Sequence, residues 1–129
     1  MTNATSSLRR IRLERAREPG HPQGDAHIGY TFIAPLDGEG RIDPDAWHDL
    51  RAHCTVVRFG DGQGETGVLR RRPGGSWAFH YETGGVPDDD AGYRFDAHRF
   101  VVGEYVTINE DEGAHTYRVA AVAPLKPFN

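Results

Sequence analysis

Seven histidines, one cysteine and 19 acidic residues are the groups in this 129-residue chain that could ligate a metal or move a proton. The histidines are His21, His27, His48, His53, His80, His98 and His115. A zinc site built on one helix needs ligands three or four residues apart, so that they share a face. His48 and His53 are five apart, about 140° around a helix, and cannot share one. His80, His98 and His115 lie on or beside separate β segments, where only convergence in the fold would bring them together. Isolated histidines are the simpler reading, so the expectation is no metal and no cofactor.

Other chemistries find little support. The single cysteine, Cys54, excludes an intramolecular disulfide and any paired-cysteine zinc or redox motif. His53 is its neighbour, but adjacent residues of a helix point about 100° apart, so an inert, core-facing thiol is expected. Asp37-Gly38-Glu39-Gly40-Arg41-Ile42 resembles a calcium loop only at its start. Arg41, Ile42 and His48 stand where an oxygen ligand, a glycine and a glutamate are required. The glycine-rich run from Gly60 to Gly67 lacks the following helix and the lysine of a phosphate cradle, and reads as a turn. The runs Asp88-Asp89-Asp90 and Glu110-Asp111-Glu112 read as solvated acidic turns. With no G-x-S-x-G and no other catalytic set, the catalytic residues are expected to be none.

One sheet face carries a candidate binding site. Arg70 and Arg72 share a phase; across a Pro73-Gly74 turn, His80 and Glu82 share the phase opposite the aromatic row Trp77, Phe79 and Tyr81. Arg58 alternates with Val57 and Phe59 and is expected to join them. Arg58, Arg70, Arg72, His80 and Glu82 would then bind an anion or an acidic peptide. Cross-strand pairing for solubility accounts for the same residues without a ligand.

The elements that must position these residues are mostly strands. Ile11 and Leu13 alternate with Arg10, Arg12 and Glu14, which predicts a strand over 8–17 with Leu8 out of phase. A Pro/Gly loop leads to a second strand, Gly29–Ala34, as a long hairpin. Asp43-Pro44 is an N-cap followed by proline at the first helical position. Trp47, Leu50 and Cys54 give the stripe of one short helix over about 44–53. Strands follow at Thr55–Phe59, Thr66–Arg72, Trp77–Tyr81 and Tyr93–Phe95. Glu104–Asn109 and His115–Val122 make a last hairpin, with Val106 and Ile108 facing Tyr117 and Val119. The expected fold is mainly β: a small antiparallel barrel or strongly curved sheet of about seven strands with one short helix. Residues 1–7 read as a disordered tail and 8–125 as a single β-rich domain.

The segment Phe100-Val101-Val102-Gly103-Glu104-Tyr105-Val106-Thr107-Ile108, with Gly113 and Tyr117-Arg118-Val119, resembles a hairpin of SH3-like barrels. That likeness implies architecture alone. More broadly, Arg10 to Leu125 resembles a group of small bacterial proteins of unassigned activity. The matching blocks are Ile11-Arg12-Leu13-Glu14, Gly29-Tyr30-Thr31-Phe32, Gly75-Ser76-Trp77-Ala78-Phe79 and Gly103-Glu104-Tyr105-Val106. This likeness implies no functional residue.

Composition narrows the function classes. A formal charge of −4 conceals five arginines against one acid in residues 1–17 and nine acids against two arginines in residues 82–112. Pairing between these segments inside the molecule is the expected use of that asymmetry. The acidic balance and single lysine argue against nucleic acid as a partner. No apolar run approaches the ~20 residues of a spanning helix, and the first residues lack the apolar core of a signal peptide. The expectation is a non-catalytic cytoplasmic binding module for a protein or an anionic ligand, without a membrane. The alternatives are a small enzyme or metalloprotein with converging histidines, and a weak nucleic-acid binder.

Overall fold

Period-two alternation turns most of the chain into strands whose apolar side chains share one face. The computed structural model describes residues 7–17, 22, 24–60, 65–81, 93–95, 98–110 and 113–125. Its strands are β1 (Leu8–Arg15), β2 (Asp25–Pro35), β3 (Thr55–Phe59), β4 (Glu65–Arg71), β5 (Trp77–Tyr81), β6 (Tyr93–Phe95), β7 (Tyr105–Glu110) and β8 (Gly113–Pro124). Each strand pairs antiparallel with the next, and β1 pairs with β8, so the sheet closes into an eight-stranded barrel. Among the described residues, β6 meets β7 at Arg94 opposite Asn109.

The fold expected from the sequence is thus present, with corrections at its edges. Eight strands lie among the described residues, in keeping with the expected count of about seven. β1 stops at Arg15, and β2 begins at Asp25 rather than Gly29. Between Glu14 and Arg15 the pairing jumps from Gly29 to Asp25, a bulge-like irregularity in the β1–β2 ladder. Gly29 makes the close approach possible there, because a Cβ on it would lie 1.8 Å from the Leu13 carbonyl oxygen. In the last hairpin Val106 opposes Tyr117 as expected, but Ile108 opposes His115 rather than Val119. The Pro73-Gly74 turn forms as read: the Gly75 N–H donates to the Arg72 carbonyl, and Gly74 has φ +89°. The turn expected over Gly60–Gly64 falls largely on residues outside those described, as do the acidic runs 88–90 and 111–112.

One end of the barrel is closed by the helix α1 (Pro44–Leu50) and a 3-10 turn, Arg51–His53. Asp43 caps α1, its Oδ1 accepting from the N–H groups of Asp45 and Ala46 at 3.0 and 3.3 Å. Trp47 meets Trp77 edge-on at 5.5 Å, and its indole N–H donates to the Leu69 carbonyl. Cys54 is fully buried beneath the helix, its thiol directed at the Leu50 carbonyl, and burial pushes its pKa up to about 12. It is an inert thiol, as the sequence suggested.

Aromatic rings fill the centre. Phe32, Phe79, Phe95 and Phe100 lie 5.0–6.3 Å apart, mostly in tilted or edge-to-face geometry. Trp77, Phe79 and Tyr81 form the buried row of β5, as its alternation requires. Truncating a buried aromatic of this kind costs about 3–5 kcal/mol. Trp77→Ala should therefore melt far below the wild-type chain in a calorimetric or circular-dichroism scan; an unchanged melting temperature would place this row outside the core.

Candidate functional site

At the end of the barrel opposite α1, several inward rows stop being apolar. On β1 the row Ile11, Leu13 ends in Arg15; on β3 Val56 is followed by Arg58; on β7 Val106 and Ile108 are followed by Glu110. Tyr30 on β2 stands opposite Leu13 and Tyr117 on β8 opposite Arg15, with their rings 5.1 Å apart. Five polar residues from five strands are thereby directed at one another. The sequence reading had left Glu110 in a solvated turn, but it is the last residue of β7 and its side chain is only 3% exposed.

The Glu110 carboxylate divides its two oxygens. Oε2 accepts the Tyr30 hydroxyl at 2.6 Å and also the Tyr117 hydroxyl. Oε1 faces the guanidinium groups of Arg58 at 3.5 Å and Arg15 at 3.9 Å. Arg15 also donates to the Tyr117 hydroxyl at 3.1 Å, and Arg58 reaches Glu65 at 3.6 Å. Two cations and two carboxylates balance, which is what makes burying them tolerable. Arg15–Glu110 is one of the intramolecular pairs that the charge asymmetry led us to expect.

Burial raises both tyrosine pKa values. Tyr117 is pushed up to about 12 by burial, with the Arg15 hydrogen bond opposing the shift and Glu110 adding to it. Tyr30 is driven well above the ordinary phenol range by burial, with Tyr117 and Glu110 reinforcing it. Both are therefore hydrogen-bond donors at neutral pH rather than bases or nucleophiles.

Outside the barrel wall, beside this network, lies a cleft of about 490 Å³. Arg15, Arg17, Asp25, Tyr105 and Arg118 line it together with Glu14. Tyr105 opposes Arg118 across β7–β8, and Arg118 opposes Glu14 across β8–β1. Glu14 is committed to Arg12, 2.8 Å away. Arg12 in turn lies 4.3 Å over the Phe59 ring and donates to the Ala26 carbonyl, holding the irregular start of β2. Asp25 Oδ1 accepts the His27 N–H. Among the described residues, the side chains of Arg17, Arg118 and Tyr105 make no ion pair, hydrogen bond or ring contact. A second cleft of about 400 Å³ lies near α1, where Arg99 donates to the Glu39 carbonyl beside Val101 and Val102.

The face proposed from the sequence is only partly assembled. Val68 opposes His80 and Arg70 opposes Ala78, so Arg70 and His80 do share the outer face of β4–β5. Arg58 leaves it, since it is in phase with Val56 and turned toward Glu110. Arg70, Arg72 and His80 each already have a partner. Glu82 lies outside the described residues. Among those residues no three His, Cys, Asp or Glu side chains are grouped to hold a metal ion. Scans against protein-family models, curated proteins and solved structures returned no match.

The raised tyrosine pKa values set a pH dependence. A group whose folded pKa lies above its unfolded value contributes stability that is complete below the unfolded value, near 10 here, and is lost as pH rises through the folded value. Denaturant titrations should thus show stability falling between pH 10 and about 12 through Tyr117, and onward through Tyr30. Tyr117→Phe should start less stable at neutral pH, by about 1.5–3 kcal/mol for a lost bond to a charged group, yet fall less steeply above pH 10. Equal slopes would refute the burial of this hydroxyl.

Proposed function

We propose that this chain is a non-catalytic binding module of the cytoplasm that takes a small anionic ligand in the cleft beside the polar end of the barrel. One observation carries this reading: Arg17 and Arg118, both without a partner among the described residues, line one cleft with Arg15. Arg15 is held by Tyr117 and Glu110, which ties the strand end bordering the cleft to the buried network. Guanidinium groups such as those of Arg17 and Arg118 are strong receptors for carboxylate and phosphate oxygens. A volume of about 490 Å³ suits a small molecule.

The enzyme alternative has less behind it. The buried groups with shifted pKa values, Tyr30, Tyr117 and Cys54, are all moved away from reactivity at neutral pH. Glu110 is engaged inside the barrel, with two hydroxyls on Oε2 and two guanidiniums facing Oε1. Nucleic acid is disfavoured by the carboxylates of Glu14 and Asp25 in the same cleft, since a phosphate chain would have to pass them. A buried free cysteine suits a reducing compartment, and no described helix is long and apolar enough to cross a membrane.

Amide chemical shifts followed during titration with inorganic phosphate test the reading. Saturable shifts should centre on Arg17, Asp25, Tyr105 and Arg118, and should vanish in Arg118→Gln. Shifts confined to Arg70, Arg72 and His80, or no saturable shifts, would overturn it.

A further inference from the structure

We infer that the ligand of this cleft is an aromatic phosphate monoester, its ring lying on Tyr105 and its phosphate between Arg118 and Arg17. The inference rests on the anion-binding reading and adds the chemical class. Tyr105 is 59% exposed, the most exposed large hydrophobic residue among those described. An exposed aromatic on a barrel wall is open to stacking, and this one has no ring partner among the described residues. Its position is specific: it stands directly opposite Arg118 on the neighbouring strand. Side chains so paired have their Cβ atoms about 5 Å apart. A ligand whose acid group is attached to its ring directly, or through a short linker, spans that separation.

Charge selects the acid. The other guanidiniums near the site are neutralised, Arg15 by Glu110 and Arg12 by Glu14. Arg17 and Arg118 are the two lining cations with no partner among the described residues. Two uncommitted positive charges match a phosphate monoester, which carries about −1.5 to −2 at neutral pH, better than a single carboxylate. Asp25 and Glu14, on the β1–β2 side of the cleft, repel any further negative charge there. They favour a ligand with one compact acid group over a polyanion. Asp25 keeps one oxygen beyond its bond to the His27 N–H, and it can accept a hydroxyl or amino group of the ligand.

Calorimetric titration with inorganic phosphate, phenyl phosphate and adenosine 5′-monophosphate tests this, using wild type, Tyr105→Ser, Tyr105→Phe and Arg118→Gln. Tyr105 and Arg118 are exposed and outside the buried network, so the folded state of each variant can be verified by circular dichroism. Stacking should make phenyl phosphate about tenfold tighter than inorganic phosphate in the wild-type chain. Tyr105→Ser should erase that advantage, Tyr105→Phe should keep it, and Arg118→Gln should weaken all three probes. Adenosine monophosphate equal to or tighter than phenyl phosphate upholds the inference and assigns the ring to a nucleobase. A weaker response, with phenyl phosphate retaining its advantage, upholds it for a directly attached aryl group. Equal affinity for inorganic and phenyl phosphate, or indifference to Tyr105→Ser, overturns the aromatic half and leaves the anion reading standing. No saturable heat with any probe overturns both.

Discussion

A carboxylate held inside a closed β-barrel has to be compensated on every side, and the polar end of this molecule is arranged around that requirement. Glu110 meets it with two tyrosine hydroxyls on one oxygen and two guanidiniums facing the other. Each partner comes from a different strand: Tyr30 from β2, Tyr117 from β8, Arg15 from β1 and Arg58 from β3. The network therefore ties four strands to β7 at the end that the helix does not cover. Removing one member would leave the others buried with unmet charge or unmet hydrogen bonds, which is where buried polar groups become costly.

The two ends of the barrel use different physics. At the helix end, burial of aromatic and aliphatic surface does the work, with Trp47 against Trp77 and the thiol of Cys54 as a small apolar filler. At the other end, hydrogen-bond geometry fixes positions instead of packing alone. Apolar contacts are non-directional, whereas a guanidinium fixed by a hydroxyl and a carboxylate holds a set orientation. Arg15 belongs to the network and also borders the cleft.

Much of this architecture could be read from local sequence. Asp43-Pro44 announced the helix, Pro73-Gly74 its turn, and Trp77-Ala78-Phe79-His80-Tyr81 its strand, because each of those signals depends on neighbours in the chain. Barrel closure was anticipated only as a possibility, since the pairing of β1 with β8 joins the two ends of the fold. The polar network was missed for a related reason. Its members were scattered across five strands, and each of the three charged ones, taken alone, resembled a surface residue. A signal did exist: Arg15, Arg58 and Glu110 continue the inward phase of Ile11–Leu13, Val56 and Val106–Ile108. Following the alternation beyond the last apolar residue would have turned all three inward. Arg58 was instead assigned to the outer face with Arg70 and Arg72, a phase error that the Glu110 contact exposes.

The claim on which this account depends is that Glu110 is the anchor of the polar end, and a comparison of two carboxylate replacements tests it most directly. Glu110→Gln and Glu65→Gln both remove a partner of Arg58, but only the first removes the acceptor shared by Tyr30, Tyr117 and Arg15. Chemical denaturation at pH 7 should show a loss of about 3–5 kcal/mol for Glu110→Gln, as expected when a buried ion pair is broken. Glu65→Gln, whose side chain is 34% exposed, should lose no more than about 1 kcal/mol. Similar small losses for the two variants would contradict the account and return Glu110 to the role of an ordinary surface acid.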